Sequence, residues 1–291
     1  MKLRNPLFAP ADSERKVAKA LASRADAVIL DLEDSVAPGA KDAARAAAAK
    51  LLTSGLTRPG MIVRVNPRDT TWYLRDLAAV VPGGPAAILL PKCTGPADLQ
   101  ALDHQLEALE AASDLPVGDI GVLALVTETA ASLRNMDYAR VTPRLRALVF
   151  GAEDLAADLG ISPRDEGGSL NAPIAAARAA VLIAAAQAQV PALDTPWPDP
   201  RNPRGLEAEI AAAVRDGFAG KLCIHPDQVE PAAAAFTPAP DQVTWAAAVR
   251  DLFAANPDAG VLSLHGKMVD RPHLKLAERI LAAAKTDVEA G

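Results

Sequence analysis

Cysteine, histidine and aromatic residues are all scarce in this 291-residue sequence. The two cysteines, Cys93 and Cys223, are too few for a disulfide framework and form no CxxC zinc motif. The four histidines form no HExxH motif. A metal bound by this chain would therefore have to use carboxylate oxygens, and oxygen ligands favour Mg²⁺ or Mn²⁺ over zinc or copper.

The sequence also lacks an excess of basic residues and any long apolar run. Its 36 acidic residues outnumber its 30 basic residues, which gives a net charge of −6 and argues against nucleic acid as a partner. No apolar stretch reaches the length of a membrane span, and no basic segment followed by an apolar run opens the chain. These absences predict a soluble, cytoplasmic protein without a membrane partner.

Short, continuously apolar segments alternate with alanine-rich segments of helical periodicity. Such segments are typical of parallel strands that are covered on both faces. The pattern predicts an α/β fold, a TIM (β/α)₈ barrel, with an open doubly wound sheet as the main alternative. The predicted strands are residues 6–9, 27–32, 61–65, 86–90, 121–126, 147–150, 190–193 and 221–224, and the predicted helices are 13–22, 41–52, 71–80, 97–112, 172–189 and 207–216.

The pattern changes after the eighth predicted strand. Residues 226–240 contain four prolines and are predicted to form a hinge or an extended connection. A helix over 241–255, a strand over 260–264 and a helix over 273–284 are expected to follow. We therefore predict a barrel domain over residues 1–225 and a small C-terminal lid segment over residues 226–291.

Polar side chains follow nearly every predicted strand. In a barrel these positions converge at the carboxyl ends of the strands, where barrel enzymes place their active sites. Solvation alone does not account for such a regular distribution. The residues are Asp31, Glu33, Asp34, Arg64, Asn66, Lys92, Glu128, Asp154, Asp194 and His225.

Glu128 and Asp154 are the candidate metal ligands among these residues. They follow consecutive strands, so their backbones should lie about 5 Å apart. Two carboxylates at that distance repel unless a cation or a proton lies between them, and Mg²⁺ suits such a pair. The alternative is that both are ordinary acids near helix N-termini, where the helix dipole favours negative charge.

Arg64 and His225 each allow a functional and a structural interpretation. Arg64 interrupts an otherwise apolar strand, so it needs an anionic partner. That partner is either a substrate carboxylate or an acid of the preceding ILDLED segment. His225 could be a general base, but the imidazole of a lone histidine after a strand more often caps a loop, and we favour that interpretation.

The same segments resemble the citrate lyase β-subunit family, within the superfamily of citrate lyases and HpcH/HpaI-type aldolases. The resemblance runs from about Leu7 to Ala284. It implies a TIM-barrel lyase that uses Mg²⁺ and cleaves or forms a carbon–carbon bond beside an acyl thioester. The substrate would be citryl-CoA or its acyl-carrier thioester, malyl-CoA or a related compound. The matching segments are LFAPADSERKVAKA, ADAVILDLEDSVAPGAKDAAR, VRVNP, LLPK, TETA, LVFGAEDLAADLG, GFAGKLCIHPDQV and GKMVDRPHLKLAERIL.

The resemblance also implies a role for individual residues. Glu128 and Asp154 would hold Mg²⁺, and Arg64 would hold the carboxylate or carbonyl of the oxo acid. Asp270 would be a catalytic acid supplied by the C-terminal lid of a neighbouring subunit, which implies a homo-oligomer, commonly a trimer. From the residues alone, Asp270 is a helix-capping acid. The residues implied to contact the thioester carrier are Phe8, Arg15, Lys19, Ile224 and His225.

Other functions fit the same constellation of residues. A malyl-CoA thioesterase would share the metal site but would need a water molecule placed to attack the thioester carbonyl. An assembly subunit would serve mainly to dock an acyl-carrier partner. A barrel enzyme of the phosphoenolpyruvate type is a lesser alternative, since it could use the same oxygen ligands.

Overall fold

The chain forms two compact units, Met1–Ala233 and Ala234–Gly291. The computed structural model describes residues 1–55 and 60–288. The first unit contains a sheet of parallel strands with the covering helices, and the second contains helices and a hairpin. The division falls later than the expected boundary after residue 225, because residues 226–233 group with the first unit.

The first unit contains a parallel sheet whose strands follow one another in sequence order. Each strand pairs with the next in parallel register, as in the pairing of Asp31 with Arg64. This order differs from that of an open doubly wound sheet, in which the first strand lies inside the sheet. The strands are β1 (Leu7–Pro10), β2 (Val28–Asp31), β3 (Met61–Arg64), β4 (Ala87–Leu90), β5 (Gly121–Leu125), β6 (Leu145–Val149), β7 (Ala192–Asp194) and β8 (Gly220–Lys221).

Backbone hydrogen bonds join the last strand to the first and close the sheet. Leu7 and Cys223 form a parallel bridge. The N–H of Phe8 donates to the carbonyl of Cys223 at 2.9 Å, and the N–H of Lys221 donates to the carbonyl of Arg4 at 2.9 Å. The predicted barrel is therefore confirmed, and the open-sheet alternative is wrong.

Helices cover the outside of the barrel between most strands. The C-terminal cap of α7 is Gly217, in the left-handed region at φ 102°, directly after the predicted helix end at residue 216. The short helix α5 was not predicted from the sequence. The helices are α1 (Glu14–Ala22), α2 (Lys41–Leu52), α3 (Tyr73–Val80), α4 (Pro96–Ala112), α5 (Glu153–Leu159), α6 (Ala172–Ala188) and α7 (Pro203–Asp216).

Apolar side chains from successive strands fill the barrel interior. Because side chains alternate between the two faces of a strand, one set points inward and the other packs under the helices. Burying each of these side chains contributes about 1.5–3 kcal/mol. The inward set includes Ile29, Ile62, Leu89, Leu123, Val149, Leu193 and Leu222.

Asp194 lies in a buried ion network and not at the mouth of the barrel, which corrects the expectation for this strand end. Its carboxylate accepts from Arg178 Nε of α6 at 3.0 Å. Lys221, which is fully buried, lies 3.4 Å from Asp194 Oδ2 and donates to Glu209 Oε2 at 2.6 Å. The network joins β7 and β8 to the helices that cover them.

The closure of the barrel requires a residue without a Cβ at Gly220. An added Cβ there would lie 2.0 Å from the carbonyl oxygen of Leu3. We expect Gly220→Ala to lower the free energy of unfolding by about 3 kcal/mol, because the backbone must shift. At Gly39 an added Cβ meets no atom within 4 Å, so Gly39→Ala is the matched control. Urea unfolding checks both variants, and equal stabilities would contradict the expectation.

The segment predicted as a hinge forms a helix. A 3₁₀ turn at Pro226–Gln228 leads into α8 (Val229–Phe236), so the prediction for residues 226–240 is wrong. Prolines are compatible with the first turn of a helix, where the backbone N–H has no partner within the helix, and Pro226, Pro231 and Pro240 lie at such positions. The alanine run at 232–235 also favours a helix.

The second unit contains two helices and an antiparallel hairpin. Its elements are α9 (Pro240–Ala255), β9 (Val261–Leu264), β10 (Lys267–Asp270) and α10 (Arg271–Val288). Ala246, Val249, Phe253, Val269 and Ala277 form its buried core. The strand β10 was not predicted from the sequence. Across residues 1–55 and 60–288, no helix combines the length and the apolar character needed to cross a membrane.

Candidate active site

Arg64 stands at the carboxyl end of β3 and is held by two acids of the ILDLED segment. Its Nε donates to Asp31 Oδ1 and its Nη2 to Asp31 Oδ2, both at 2.7 Å. Its Nη1 lies 2.8 Å from Glu33 Oε2, and its guanidinium stacks on the Phe8 ring at 4.8 Å. The ion pair with the neighbouring acids, one of the two interpretations from the sequence, is therefore present.

The charges of this pair stabilise each other. Burial alone would raise the pKa of Asp31, but the charge of Arg64 and its hydrogen bonds lower it. Burial opposes the charge of Arg64 as well, yet the charges of Asp31 and Glu33 hold the pKa of Arg64 above its usual range. Arg64 is therefore a permanent cation with a fixed orientation.

The loop after β2 is anchored by a lysine that the sequence did not mark as functional. The Nζ of Lys41 donates to the carbonyls of Leu32 and Glu33 at 2.8 and 2.7 Å, and it lies 5.4 Å from the centroid of the Trp72 ring. These contacts fix the backbone that carries Glu33. Lys41 is the first residue of α2, and no sequence pattern predicts that a lysine there donates to carbonyls of the preceding loop. Its role as an anchor of this loop could therefore be seen only in the folded structure.

Lys92 connects several carboxylates at the mouth of the barrel. Its backbone N–H donates to Glu128 Oε2 at 2.5 Å. Its Nζ lies 2.5 Å from Glu33 Oε1 and 3.6 Å from Asp154 Oδ1. Burial alone would lower the pKa of Lys92, but Glu33 and the other carboxylates raise it. The ammonium therefore keeps its charge.

Glu128 is a buried carboxylate with carboxylates for neighbours. It is only 3% exposed, and burial raises its pKa to about 8, with the charges of Glu33 and Asp154 adding to the effect and Arg64 opposing it. An added Cβ at Gly151 would lie 2.7 Å from Glu128 Cγ, so a glycine two residues after β6 provides the space for this side chain. Such a carboxylate is stabilised by a cation.

Asp154 lies in the first turn of α5. This is the position that the helix-dipole interpretation predicts, but its contact with Lys92 also places it beside the group that binds Glu128. Over the part of the chain that the structure describes, no three histidine, cysteine, aspartate or glutamate side chains form a ready cage for a metal. A Mg²⁺ site needs only one or two carboxylates because water and substrate oxygens complete it.

Of the residues implied to contact a thioester carrier, Phe8 lies on β1 against Arg64, and the other four lie on two further segments of the first unit. Arg15 and Lys19 are exposed on α1, and Ile224 is 44% exposed after β8. Gln228, which sequence reasoning missed, accepts the backbone N–H of Ile224 at 2.8 Å and of His225 at 3.3 Å. The His225 ring accepts the N–H of Asp227, as the loop-capping interpretation predicts.

Asp270 belongs to the second unit and ends β10. Its carboxylate accepts the backbone N–H of His273 at 3.4 Å and lies 2.5 Å from His273 Nδ1. The hydrogen bond with His273 lowers the pKa of Asp270, so this carboxylate is ionised at neutral pH. The capping role that the residues alone suggested is therefore present in the structure.

A parallel barrel with buried carboxylates and fixed cations at the carboxyl ends of its strands has the architecture of a barrel enzyme. The chain belongs to the HpcH/HpaI aldolase/citrate lyase family, whose profile matches residues 4–226. Family membership identifies the chain as a lyase and confirms the resemblance seen in the sequence.

Relatives and a solved structure match nearly the whole chain. The citrate lyase subunit beta of Escherichia coli (strain K12) is 34% identical over 97% of this chain and 93% of the relative. A (3S)-malyl-CoA thioesterase of Cereibacter sphaeroides (strain KD131) is 34% identical over 97% of this chain and 94% of the relative. The crystal structure of CitE from Mycobacterium tuberculosis with magnesium, acetoacetate and coenzyme A has a TM-score of 0.75 at 33% identity, over 98% of each chain.

Proposed function

We propose that the chain is a Mg²⁺-dependent carbon–carbon lyase that acts on a 3-hydroxyacyl thioester, such as citryl-CoA, a citryl-carrier thioester or malyl-CoA. It would cleave this thioester into an oxo acid and an acetyl thioester, or form it from them. The observation that supports it best is the buried Glu128 beside Asp154 and Glu33, at the barrel face where such enzymes act. The related structure with magnesium, acetoacetate and coenzyme A supports the choice of reactants.

Glu128 and Asp154 would be the protein ligands of Mg²⁺. Both offer hard oxygen donors, and Glu128 is already oriented by the Lys92 N–H at one of its oxygens. A buried carboxylate with an acidic neighbourhood fits a divalent cation better than it fits solvent. When bound, Mg²⁺ would polarise the carbonyl of the oxo acid.

Arg64 would hold the carboxylate or carbonyl of the oxo acid. A guanidinium has five N–H donors. Asp31 engages two of them in a bidentate pair, and Glu33 Oε2 lies 2.8 Å from Nη1 and engages a third. The remaining hydrogens can donate to a substrate oxygen without a change of side-chain position. Because Asp31 and Phe8 fix the guanidinium, little conformational entropy is lost when it binds the substrate.

The thioester carrier would lie along α1 and the segment after β8. The exposed side chains of Arg15 and Lys19 would attract its phosphates, and Phe8 would contact its thioester end. Ile224 and His225 would contribute contacts from a segment that Gln228 holds in place. The same basic side chains could meet the prosthetic group of an acyl-carrier protein.

Asp270 would act as the general base. In the direction of synthesis, its carboxylate takes a proton from the methyl group of the acetyl thioester, and the carbon so formed attacks the carbonyl carbon of the oxo acid. The new bond leaves an alkoxide, which takes up a proton. We place Asp270 in the site of a neighbouring subunit, with the C-terminal segment as its lid, in a homotrimer that works in the cytoplasm.

Two other functions differ from this proposal by their products or partners. A malyl-CoA thioesterase is supported by the 34% identity to the Cereibacter enzyme, and it would release free CoA and malate by hydrolysis. An assembly subunit would serve mainly to dock an acyl-carrier partner, so it would act poorly on free CoA thioesters and would co-purify with other subunits.

We expect the purified protein to cleave one or more of citryl-, malyl- and citramalyl-CoA only when Mg²⁺ is present. The oxo acid and the shorter CoA thioester should form in equal amounts, because one bond is broken per turnover. Chelation should abolish the reaction and added Mg²⁺ should restore it. Chromatography of the products checks this result. Free CoA without the shorter thioester would favour the thioesterase instead.

A further inference from the structure

Lys92 has an unusual backbone conformation at the mouth of the barrel. Its φ of 48° is in the left-handed region, which L side chains adopt at a cost of about 1 kcal/mol. This conformation directs its N–H to Glu128 Oε2, while the next N–H, of Cys93, donates to the Leu125 carbonyl at the end of β5. Lys92 is therefore anchored to the segment that carries Glu128.

The ammonium of Lys92 has three carboxylates around it. Glu33 Oε1 is at 2.5 Å, Asp154 Oδ1 at 3.6 Å and Asp34 Oδ1 at 3.7 Å. Because both the backbone and the side chain are held, the positive charge cannot move far from Glu128 and Asp154. A dication bound by these two acids would have a fixed monocation as its neighbour.

We propose that Lys92 is a positioning residue that keeps the affinity for the divalent cation low until an anionic oxo acid binds. The proposal rests on the proposed function, in which Glu128 and Asp154 hold Mg²⁺. Repulsion between the ammonium and the dication weakens metal binding, since unit charges at such distances interact strongly even near a protein surface.

The carboxylate of an oxo acid reverses this effect. Its negative charge is attracted both to the dication and to Lys92, so the metal and the oxo acid bind more tightly together than either does alone. By thermodynamic linkage, each then raises the affinity of the other by the same factor. Lys92 thus couples occupation of the metal site to the presence of an anionic substrate.

Isothermal titration with Mn²⁺, with and without pyruvate as the oxo acid, tests the proposal at a fixed pH. We expect Lys92→Met to bind Mn²⁺ about tenfold more tightly than the wild type without pyruvate. Pyruvate should then tighten Mn²⁺ binding less in Lys92→Met than in the wild type. Lys92→Arg keeps the charge and should resemble the wild type.

A gain in affinity separates this role from damage to the site, because a distorted site binds metal more weakly. Lys92→Gly relieves the backbone strain and keeps the N–H that donates to Glu128. It is therefore the second neutral variant, to be used if Lys92→Met does not fold, and it too should bind Mn²⁺ more tightly than the wild type. Unchanged or weaker Mn²⁺ binding in the folded neutral variant would overturn the proposal. If Glu128→Gln bound Mn²⁺ like the wild type, the metal site itself would be wrong, which is a distinct failure.

Discussion

Glu128→Gln is expected to abolish measurable Mn²⁺ binding and to lower kcat/KM by about a thousandfold or more. The substitution removes the negative charge of the proposed metal ligand, which is buried, and it keeps the size of the side chain. The amide can still accept the Lys92 N–H through its oxygen, so the fold should remain. Isothermal titration and steady-state kinetics with the preferred thioester measure the two effects.

Glu153→Gln is the matched control for this variant. Glu153 is next to Asp154 in the first turn of α5, but its side chain is half exposed and pairs with Arg164. Exposed ion pairs contribute less than about 1 kcal/mol, so this variant should retain wild-type metal affinity and activity. Equal losses in both variants would indicate a general effect of charge and would contradict a ligand role for Glu128.

Asp270→Asn is expected to lower kcat by about a hundredfold to ten-thousandfold, the usual contribution of a general base, while Mn²⁺ affinity stays at the wild-type value. The asparagine oxygen can still accept the His273 N–H that Asp270 accepts, so α10 keeps its cap. Asp258→Asn, an exposed position in the same unit, is the control and should be fully active. A fully active Asp270→Asn variant would show that Asp270 is only a cap.

Mixing two inactive variants tests whether Asp270 acts in a neighbouring subunit. Co-expression of Glu128→Gln and Asp270→Asn would form some sites from an intact metal site on one subunit and an intact Asp270 on the next. With random assembly in a ring, about a quarter of the sites should be intact, and activity should return to about that fraction. If Asp270 served its own subunit, no site would be intact and activity would not return.

The barrel was predictable because its strands depend on a local pattern. Continuous apolar runs indicate strands that are covered on both sides, and all eight predicted segments overlap strands of the structure. The eighth segment overlaps β8 at Lys221 and also includes Cys223, which forms the closing bridge with Leu7. The elements that were missed are short. Helix α5 spans only Glu153–Leu159, and β10 spans only Lys267–Asp270, lengths at which periodicity carries little information. The hinge prediction for residues 226–240 was wrong because the sequence shows the four prolines but not their positions relative to the first turn of a helix.

The site was predictable only in part. Residues at strand ends could be selected from their position in the sequence. The structure brings Glu128 and Asp154 to one cluster with Lys92, and Arg64 joins it through Glu33. Lys41 and Gly151 could not be selected, because they act through contacts with backbone or side chains eight or more residues away. Gln228 acts on N–H groups only three and four residues before it, so its capping-box spacing after His225 was a signal that could have identified it. Asp194 shows the converse error, since a strand-end acid can equally face the covering helices.

The buried ion network on the β7–β8 side of the barrel should contribute more to stability as the temperature rises. The desolvation penalty of buried charges falls as temperature rises, while stabilisation by apolar burial levels off. The ion network of Lys221, Asp194, Glu209 and Arg178 therefore contributes relatively more at high temperature than at low temperature. The segment that follows Lys221 and carries Ile224 is thus attached to a part of the molecule whose resistance to heat depends on charge and not on apolar packing alone.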